Sequence, residues 1–173
     1  MQSIAPNHPS ESTMTVTLER ITIDSSRPFD EVLDRIYDGI SRPDLSREAA
    51  AWAAAPTYAE FETLVAQAVG PAGLMQFLRL DLDTALRKIL DITPHRIVRI
   101  IAGNPVTMSR MTRSLPHAGS YAPVTLLVWQ DGDVVRLAYD TMQSLLRPYS
   151  DQEALAVARE LDNEVLDLLR AAA

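Results

Sequence analysis

The sequence has 173 residues, of which 47% are hydrophobic and 23% are charged, and it contains no cysteine. This is the composition of a globular chain that can form one core, and it excludes disulfides, thiolate metal sites and cysteine nucleophiles. The formal net charge of −7 at pH 7 argues against nucleic acid as a partner, because binding to a phosphate backbone normally depends on lysine and arginine.

The first residues, 1–13, are predicted to form a disordered tail, because they are rich in Ser, Pro and Asn and offer little to bury. They have neither the basic start nor the apolar stretch of a secretory signal. No apolar run approaches the roughly 20 residues that span a bilayer. We therefore expect a cytoplasmic protein without a membrane partner, in which residues 14–173 form a single α+β domain.

The first half of the chain predicts one strand and three helices. Apolar and polar residues alternate after Thr15, with a slip in phase that indicates a bulge or bend. Helical spacing then runs from Pro28 to Ile40, with acidic residues in the first turn. A pair of helices follows within residues 43–70, where prolines and a capping-box pattern set the boundaries.

The middle of the chain predicts two strands with a helix between them. Residues 74–80 form a short apolar run after a turn, which suits a strand but also allows a helix. Asp81 is expected to cap a helix that continues to Leu90. The β-branched run at residues 97–101 predicts a buried strand.

The end of the chain predicts a β-hairpin and a long helix. Asp131 and Gly132 separate two β-rich runs at residues 124–129 and 134–139, which is typical of a tight hairpin turn. Ser150 is expected to begin the terminal helix, along which apolar residues follow the helical period.

The order of these features is similar to that of a known family. From about Thr15 to about Leu146 the chain resembles the domain of unknown function 302 family. The residues that carry the resemblance are the helix start Pro28-Phe29-Asp30-Glu31-Val32-Leu33, the strand and turn from Arg96 to Pro105, Met111, Pro116, Ala122-Pro123, Leu126 to Trp129, and Leu137-Ala138-Tyr139-Asp140.

The resemblance implies a homodimer with a TATA-binding-protein-like α+β fold. Such a fold has a curved antiparallel sheet of four to five strands with helices packed on one face. The helices within residues 43–70 are an insertion relative to the family pattern. Since the biochemical role of the family is not established, the resemblance implies no activity and no cofactor.

The strand ends carry the candidate site residues. Gly103, Asn104 and Pro105 form a strand-turn-helix whose free N–H groups could hold an anion, although most such turns only cap a helix. Gly103 is expected to adopt a backbone conformation closed to other residues. Tyr139 and Asp140 could place a phenol and a carboxylate at a pocket rim, and the alternative is that they cap the strand edge.

A metal site is a further hypothesis. His95 begins a strand and His117 follows a short helix, so the two could meet at one end of the sheet, with Met108 and Met111 near them in sequence. Methionines three apart on a helix usually fill core, and the three histidines, His8 included, match no zinc spacing. Packing is therefore favoured over a metal site.

These patterns together favour a non-enzymatic module, because packing signals are abundant and no nucleophile has an adjacent base in a recognised spacing. We expect a homodimer, since apolar helix faces in excess often become interfaces, and we expect it to bind a small apolar ligand or a protein partner. The candidate ligand-binding residues are Gly103, Asn104, Pro105, Met108, His117, Tyr139 and Asp140.

Two alternatives remain open. The first is an enzyme with a cleft near the Gly103-Asn104-Pro105 turn that uses His117, Tyr139 and Asp140. The second is a metal or metallocofactor binder that uses His95, His117, Met108 and Met111.

Overall fold

The computed structural model describes residues 11–173 and shows an α+β fold built on one six-stranded sheet. The strands are β1 (Arg20–Ser25), β2 (Ile40–Ser41), β3 (Leu74–Asp81), β4 (Ile97–Gly103), β5 (Val124–Asp131) and β6 (Val134–Asp140). The helices are α1 (Phe29–Gly39), α2 (Leu45–Ala54), α3 (Tyr58–Ala68), α4 (Pro105–Thr112), α5 (Met142–Leu146) and α6 (Gln152–Ala172).

The sheet has the strand order β1-β6-β5-β4-β3-β2. All neighbouring strands are antiparallel except β2 and β3, which are parallel. The prediction of four to five antiparallel strands was therefore wrong in two respects. The sheet has a sixth strand, and its β2–β3 pair is parallel. β2 has only two residues, Ile40 and Ser41, and a segment that short carries no alternation from which a strand could be predicted.

The predicted helices α1, α2, α3, α4 and α6 are confirmed within a few residues. Asp44 and Thr57 cap α2 and α3, as their side chains accept backbone N–H groups of the first turn. The terminal helix begins later than predicted, because Asp151 is its cap and Ser150 has a left-handed φ of 57°. The hairpin is confirmed, with Gly132 at its turn and a φ of 60°.

The helix predicted from Asp81 to Leu90 does not form. Two short 3₁₀ turns, Leu82–Thr84 and Leu86–Lys88, occupy this segment. Most helical stability in a protein comes from packing an apolar face against a core, and this segment has no such packing, since Leu90 is 84% exposed.

The strand predicted after Thr15 begins only at Arg20. β1 lies at the edge of the sheet and pairs only with β6, from Arg20 opposite Asp140 onward. Because β6 ends at Asp140, the earlier residues have no strand to pair with, and Leu18 is exposed.

The two faces of the sheet differ in how they are covered. Ile100, Leu126 and Leu137 lie at 0% exposure on the face that packs against α1, α4 and α6, which we call the covered face. Arg99 and Leu127, their chain neighbours, point to the opposite side, which we call the open face. The run at residues 97–101, predicted to be buried, is thus buried on one side only.

A smaller apolar cluster lies under α2 and α3. Its buried members are Val65, Ala68 and Met75, whereas Leu74 belongs to the larger core. This division follows from the alternation of side chains along a strand. A bulge between Gln76 and Leu78 then shifts the register of β3 against β4.

Within residues 11–173, no helix combines the length and the apolar composition needed to cross a membrane. The tail predicted for residues 1–13 lies largely outside the described residues, and its last three residues have no regular secondary structure.

Candidate functional site

An apolar cavity of about 300 Å³ lies where β4 ends and α4 begins. The helical pair α2–α3, the start of α4 and the segment before β5 form its walls. Its lining residues are Trp52, Phe61, Phe77, Gly103, Asn104, Pro105, Thr107, Met108, Met111, Ala122, Pro123, Val124 and Leu161. None of these described residues is charged.

Gly103 helps to keep this cavity open. A Cβ atom at this position would lie 3.0 Å from Cβ of Pro123 and 3.6 Å from Cε2 of Phe77. Left-handed φ values occur at Gly73 and Gly132 and not at Gly103. The expectation that Gly103 adopts a conformation closed to other residues was therefore wrong, and the glycine is needed for space.

Asn104 acts as the cap of α4. Its Oδ1 accepts hydrogen bonds from the backbone N–H groups of Val106 at 2.9 Å and Thr107 at 3.4 Å, and its Nδ2 donates to the carbonyl of Gly73 at 2.9 Å. Pro105 occupies the first turn, where a missing N–H costs nothing. The geometry agrees with the capping interpretation of this turn, since the side chain of Asn104 already satisfies the N–H groups that an anion would need.

Aromatic side chains from α2 and α3 close one wall of the cavity. The rings of Trp52 and Phe61 meet edge to face, with centroids 6.4 Å apart. The hydroxyl of Tyr58 lies 2.8 Å from Oγ of Ser109, which ties α3 to α4. The aromatic wall is thus held against the helix that Asn104 caps.

The two methionines of α4 divide between the core and the rim of the cavity. Met111 is fully buried and belongs to the larger core, as expected for a core-filling methionine. Met108 is 36% exposed and lines the cavity.

Tyr139 points into the covered face and is 1% exposed. Its hydroxyl donates to Oδ1 of Asp162 at 2.7 Å, and the two carboxylate oxygens also accept the N–H groups of Met142 and Gln143 at 2.7 and 3.0 Å. Burial and the neighbouring carboxylate raise the pKa of the Tyr139 phenol. Tyr139 is thus part of a closed network in which Asp162 of α6 caps α5.

Asp140 lies on the open face, away from Tyr139. Its two carboxylate oxygens accept from Nε and Nη2 of Arg20 at 2.6 and 2.8 Å. This ion pair joins β1 to β6.

The two described histidines have separate partners. Nδ1 of His95 lies 3.1 Å from the carbonyl of Gln130. The ring of His117 stacks on Tyr149 with centroids 4.9 Å apart. Among residues 11–173 no three His, Asp or Glu side chains are close enough to hold a metal ion, and His8 lies outside the described residues.

The predicted site residues therefore separate into groups. Gly103, Asn104, Pro105 and Met108 line the cavity together, whereas His117, Tyr139 and Asp140 each lie elsewhere. The lining residues that the prediction missed include Trp52, Phe61, Phe77 and Pro123. For Phe61 the signal was the apolar stripe of α3, which the sequence left without a defined partner. Trp52, Phe77 and Pro123 lie on α2, on β3 and before β5, and no local pattern joined them to this cavity.

Comparisons with known proteins agree with this architecture. A family model described as "Domain of unknown function DUF302" matches residues 52–172, so it includes α3 of the helical pair. A crystal structure of an uncharacterized conserved DUF302 protein from Bacillus stearothermophilus is similar, with a TM-score of 0.62 and 16% identity over 89% of this chain and 98% of that chain. No curated protein matches this sequence.

At 16% identity the similarity to this crystal structure shows only that the two proteins share a fold. The family model matches well over half of the chain. The TATA-binding-protein-like topology and the homodimer implied by the resemblance stay predictions. The resemblance to the family is itself confirmed, and the chain belongs to the domain of unknown function DUF302 family.

Proposed function

We propose that this protein is a non-enzymatic module that binds a small, uncharged, apolar molecule in the cavity between α2–α3 and α4. The observation that carries the proposal is the cavity itself, which is lined by aromatic, proline and methionine side chains and by no charged residue among those described. Pockets with few polar groups and mostly apolar walls are the usual form of a small-molecule site.

The size of the cavity limits the ligand. At about 300 Å³ it lies at the lower end of the range for ligand pockets. A compact ring system fits this volume better than a long chain or a nucleotide.

The chemistry of the walls limits the ligand further. The side chain of Asn104 is already engaged with α4 and Gly73. The remaining polar groups of the lining are the hydroxyl of Thr107 and the indole N–H of Trp52, which is buried and has no hydrogen-bond partner among the described residues. Binding would depend on removing apolar surface from water, at roughly 25 cal/mol per Å². A charged ligand would lose hydration without gaining an ionic partner, because no described lining residue is charged.

The side chains that could have been catalytic lie at separate places in the fold, which supports a binding protein rather than an enzyme. A general acid or base must come within hydrogen-bonding reach of the reacting group. Tyr139 and Asp162 bond to each other in the core, Asp140 bonds to Arg20, and His117 stacks on Tyr149. These side chains do not converge on the cavity.

The test uses N-phenyl-1-naphthylamine, a neutral aromatic probe whose fluorescence rises in apolar surroundings. We expect saturable binding of one probe per chain, and at least a tenfold loss of affinity in Met108→Glu, which places a charge in the lining. Met14→Glu is the matched control, because Met14 is 54% exposed and lies outside the cavity. Equal binding by the two variants, or no saturable binding by the native protein, would contradict the proposal.

The proposal includes a homodimer, which is supported by apolar side chains that the fold leaves uncovered. Ile89, Leu90 and Ile92 are 53%, 84% and 48% exposed in the segment between β3 and β4. Association of two copies is the common way to bury such surface. Sedimentation velocity should show a dimer that Leu90→Glu dissociates and Met14→Glu leaves intact, and a native monomer at high concentration would refute this part.

A further inference from the structure

We infer that the open face of the sheet carries a second binding site, separate from the apolar cavity, for a small monocarboxylate with an apolar body. The juxtaposition behind this inference is an arginine without a carboxylate partner, Arg99, set between two hollows of the same face. We call this site the Arg99 groove.

The centre of the groove is a row of polar side chains that crosses four strands. Arg20 on β1 lies opposite Asp140 on β6, and Thr125 follows on β5. Nη2 of Arg99 on β4 donates to Oγ1 of Thr125 at 3.1 Å. The row therefore begins at Arg20, which is paired with a carboxylate, and ends at Arg99, which is bonded to a neutral hydroxyl.

The charges along this row leave one positive charge without an ionic partner. Arg20 and Asp140 neutralise each other through two hydrogen bonds of 2.6 and 2.8 Å. No carboxylate oxygen within residues 11–173 lies within 4.0 Å of the Arg99 guanidinium. In a protein with a net charge of −7, a solvated arginine without a carboxylate partner favours a ligand of single negative charge.

Two hollows adjoin the row and share Arg99, Thr125 and Asp140. One has a volume of about 340 Å³ and is also lined by Leu82, Leu127 and Ala138. The other has a volume of about 400 Å³ and is also lined by α5 and by Ala122, Pro123 and Val124, three residues that also line the apolar cavity. The smaller hollow shares no residue with the apolar cavity.

The smaller hollow is the better place for the apolar body of the ligand. It contains Arg20 as well as Arg99, and its remaining wall is formed by Leu82, Leu127 and Ala138. Ala138 is only 4% exposed although it points to the open face, so neighbouring side chains of this face already cover it. A carboxylate at Arg99 could lay an alkyl chain along Leu127.

A carboxylate fits this centre better than a neutral or a doubly charged group. The planar guanidinium of Arg99 can donate two parallel hydrogen bonds to a carboxylate, and the hydroxyl of Thr125 supplies a further donor. A dianion would leave one negative charge beside Asp140 without compensation. A neutral alcohol would gain the apolar contact alone.

The experiment compares octanoate with 1-octanol, which share the apolar chain and differ in charge. Titration followed by amide chemical shifts should show saturable octanoate binding with shifts at Thr125 and Leu127, and at least tenfold weaker binding of 1-octanol. Arg99→Gln should weaken octanoate binding at least tenfold, and Arg99→Lys should restore part of it. Arg110→Gln is the matched control, because Arg110 is exposed and pairs with Glu160 on α6.

Three results would overturn the inference. The first is equal affinity for octanoate and 1-octanol, and the second is octanoate binding that Arg99→Gln leaves unchanged. The third is a native dimer in which a second copy covers this face, so that Arg99→Gln dissociates the dimer and octanoate does not bind.

The failure of this inference and the failure of the proposed function can be told apart. Met108→Glu should leave octanoate binding unchanged, because Met108 lines only the apolar cavity among the hollows described above. Arg99→Gln should leave binding of N-phenyl-1-naphthylamine unchanged. Octanoate binding that Met108→Glu abolishes and Arg99→Gln does not would place octanoate in the apolar cavity and overturn the second site.

Discussion

The covered and open faces of this sheet are built from the same strands and have different roles. On the covered face, side chains such as Ile100 and Leu126 are fully buried against α1, α4 and α6. On the other side, the helical pair α2–α3 covers only the beginning of β3, and the rest of the face is open. The complete packing of the covered face stabilises the fold, and the incomplete packing of the open face leaves room for a ligand.

The polar groups of the two faces show the same difference. Asp162 on the covered side accepts hydrogen bonds from Tyr139, Met142 and Gln143, so this buried network is largely satisfied. Within residues 11–173, Arg99 on the open side has only a neutral hydroxyl as partner. Buried polar groups need internal partners, whereas a solvated group can exchange water for a ligand.

The largest expected effect compares two neighbouring leucines on β5. Leu126→Ala should lower the free energy of unfolding by about 3 kcal/mol, because it removes a fully buried side chain from the larger core. Leu127→Ala should cost about 1 kcal/mol or less, because Leu127 is half-buried on the open face. Urea unfolding of both variants measures the difference, and equal losses would show that the two faces do not differ in packing.

A smaller effect is expected from the buried network of the covered face. Asp162→Ala should lower the free energy of unfolding by about 2 kcal/mol, since it leaves the Tyr139 hydroxyl and the Gln143 N–H without an acceptor and the Met142 N–H with only the Tyr139 oxygen at 3.3 Å. Asp167→Ala is the matched control on α6, because Asp167 is exposed and, among the described residues, pairs only with Arg170. Its loss should stay within about 0.5 kcal/mol, and a loss equal to that of Asp162→Ala would count against the network.

Because of the Asp162 carboxyl group, we expect the free energy of unfolding to depend on pH. Burial raises the pKa of Asp162 above its unfolded value, so the folded state holds this proton more tightly than the unfolded chain does. The stability that comes from this difference is present below the unfolded pKa of about 3.9 and is lost as the pH rises through the folded pKa. The advantage of the native protein over Asp162→Asn in urea unfolding should therefore be larger at pH 4 than at pH 7.

The smallest effect is expected at the boundary between the faces, where Asn104 caps α4. Asn104→Ala should lower the free energy of unfolding by about 1 kcal/mol, because it removes the cap and the bond to the Gly73 carbonyl. Asn104→Asp keeps the acceptor for the helix and loses only the donor, so its loss should be smaller. Thermal unfolding of the two variants tests this order, and an equal loss in Asn104→Asp and Asn104→Ala would show that the bond to Gly73, and not the cap, supplies the stability.

Much of the fold could be predicted, because its signals are local. The hairpin followed from Asp131 and Gly132 between two β-rich runs, and α4 followed from Asn104 and Pro105. The segment from Asp81 to Leu90 could not be predicted in the same way. Its apolar spacing is that of a helix, and whether such a helix forms depends on a tertiary surface that no local pattern describes.

The candidate site was predicted only in part, for a similar reason. The Gly103-Asn104-Pro105 turn and Met108 are contiguous in sequence, and they do line one cavity. Phe61 and Pro123 reach the same cavity from distant segments. Tyr139 and Asp140 are adjacent in sequence and point to opposite faces, because successive side chains of a strand alternate.

The irregular edge at β3 has a consequence for how copies of this protein meet. β2 pairs with only the first two residues of β3. The backbone N–H and C=O groups of the rest of this edge could therefore pair with a strand of another molecule and extend the sheet between molecules. The bulge after Gln76 and the charged pair Arg79 and Asp81 are the devices that natural proteins use against such fibre-like assembly. Contacts between copies should therefore form through side chains, and the chain should resist aggregation at this border.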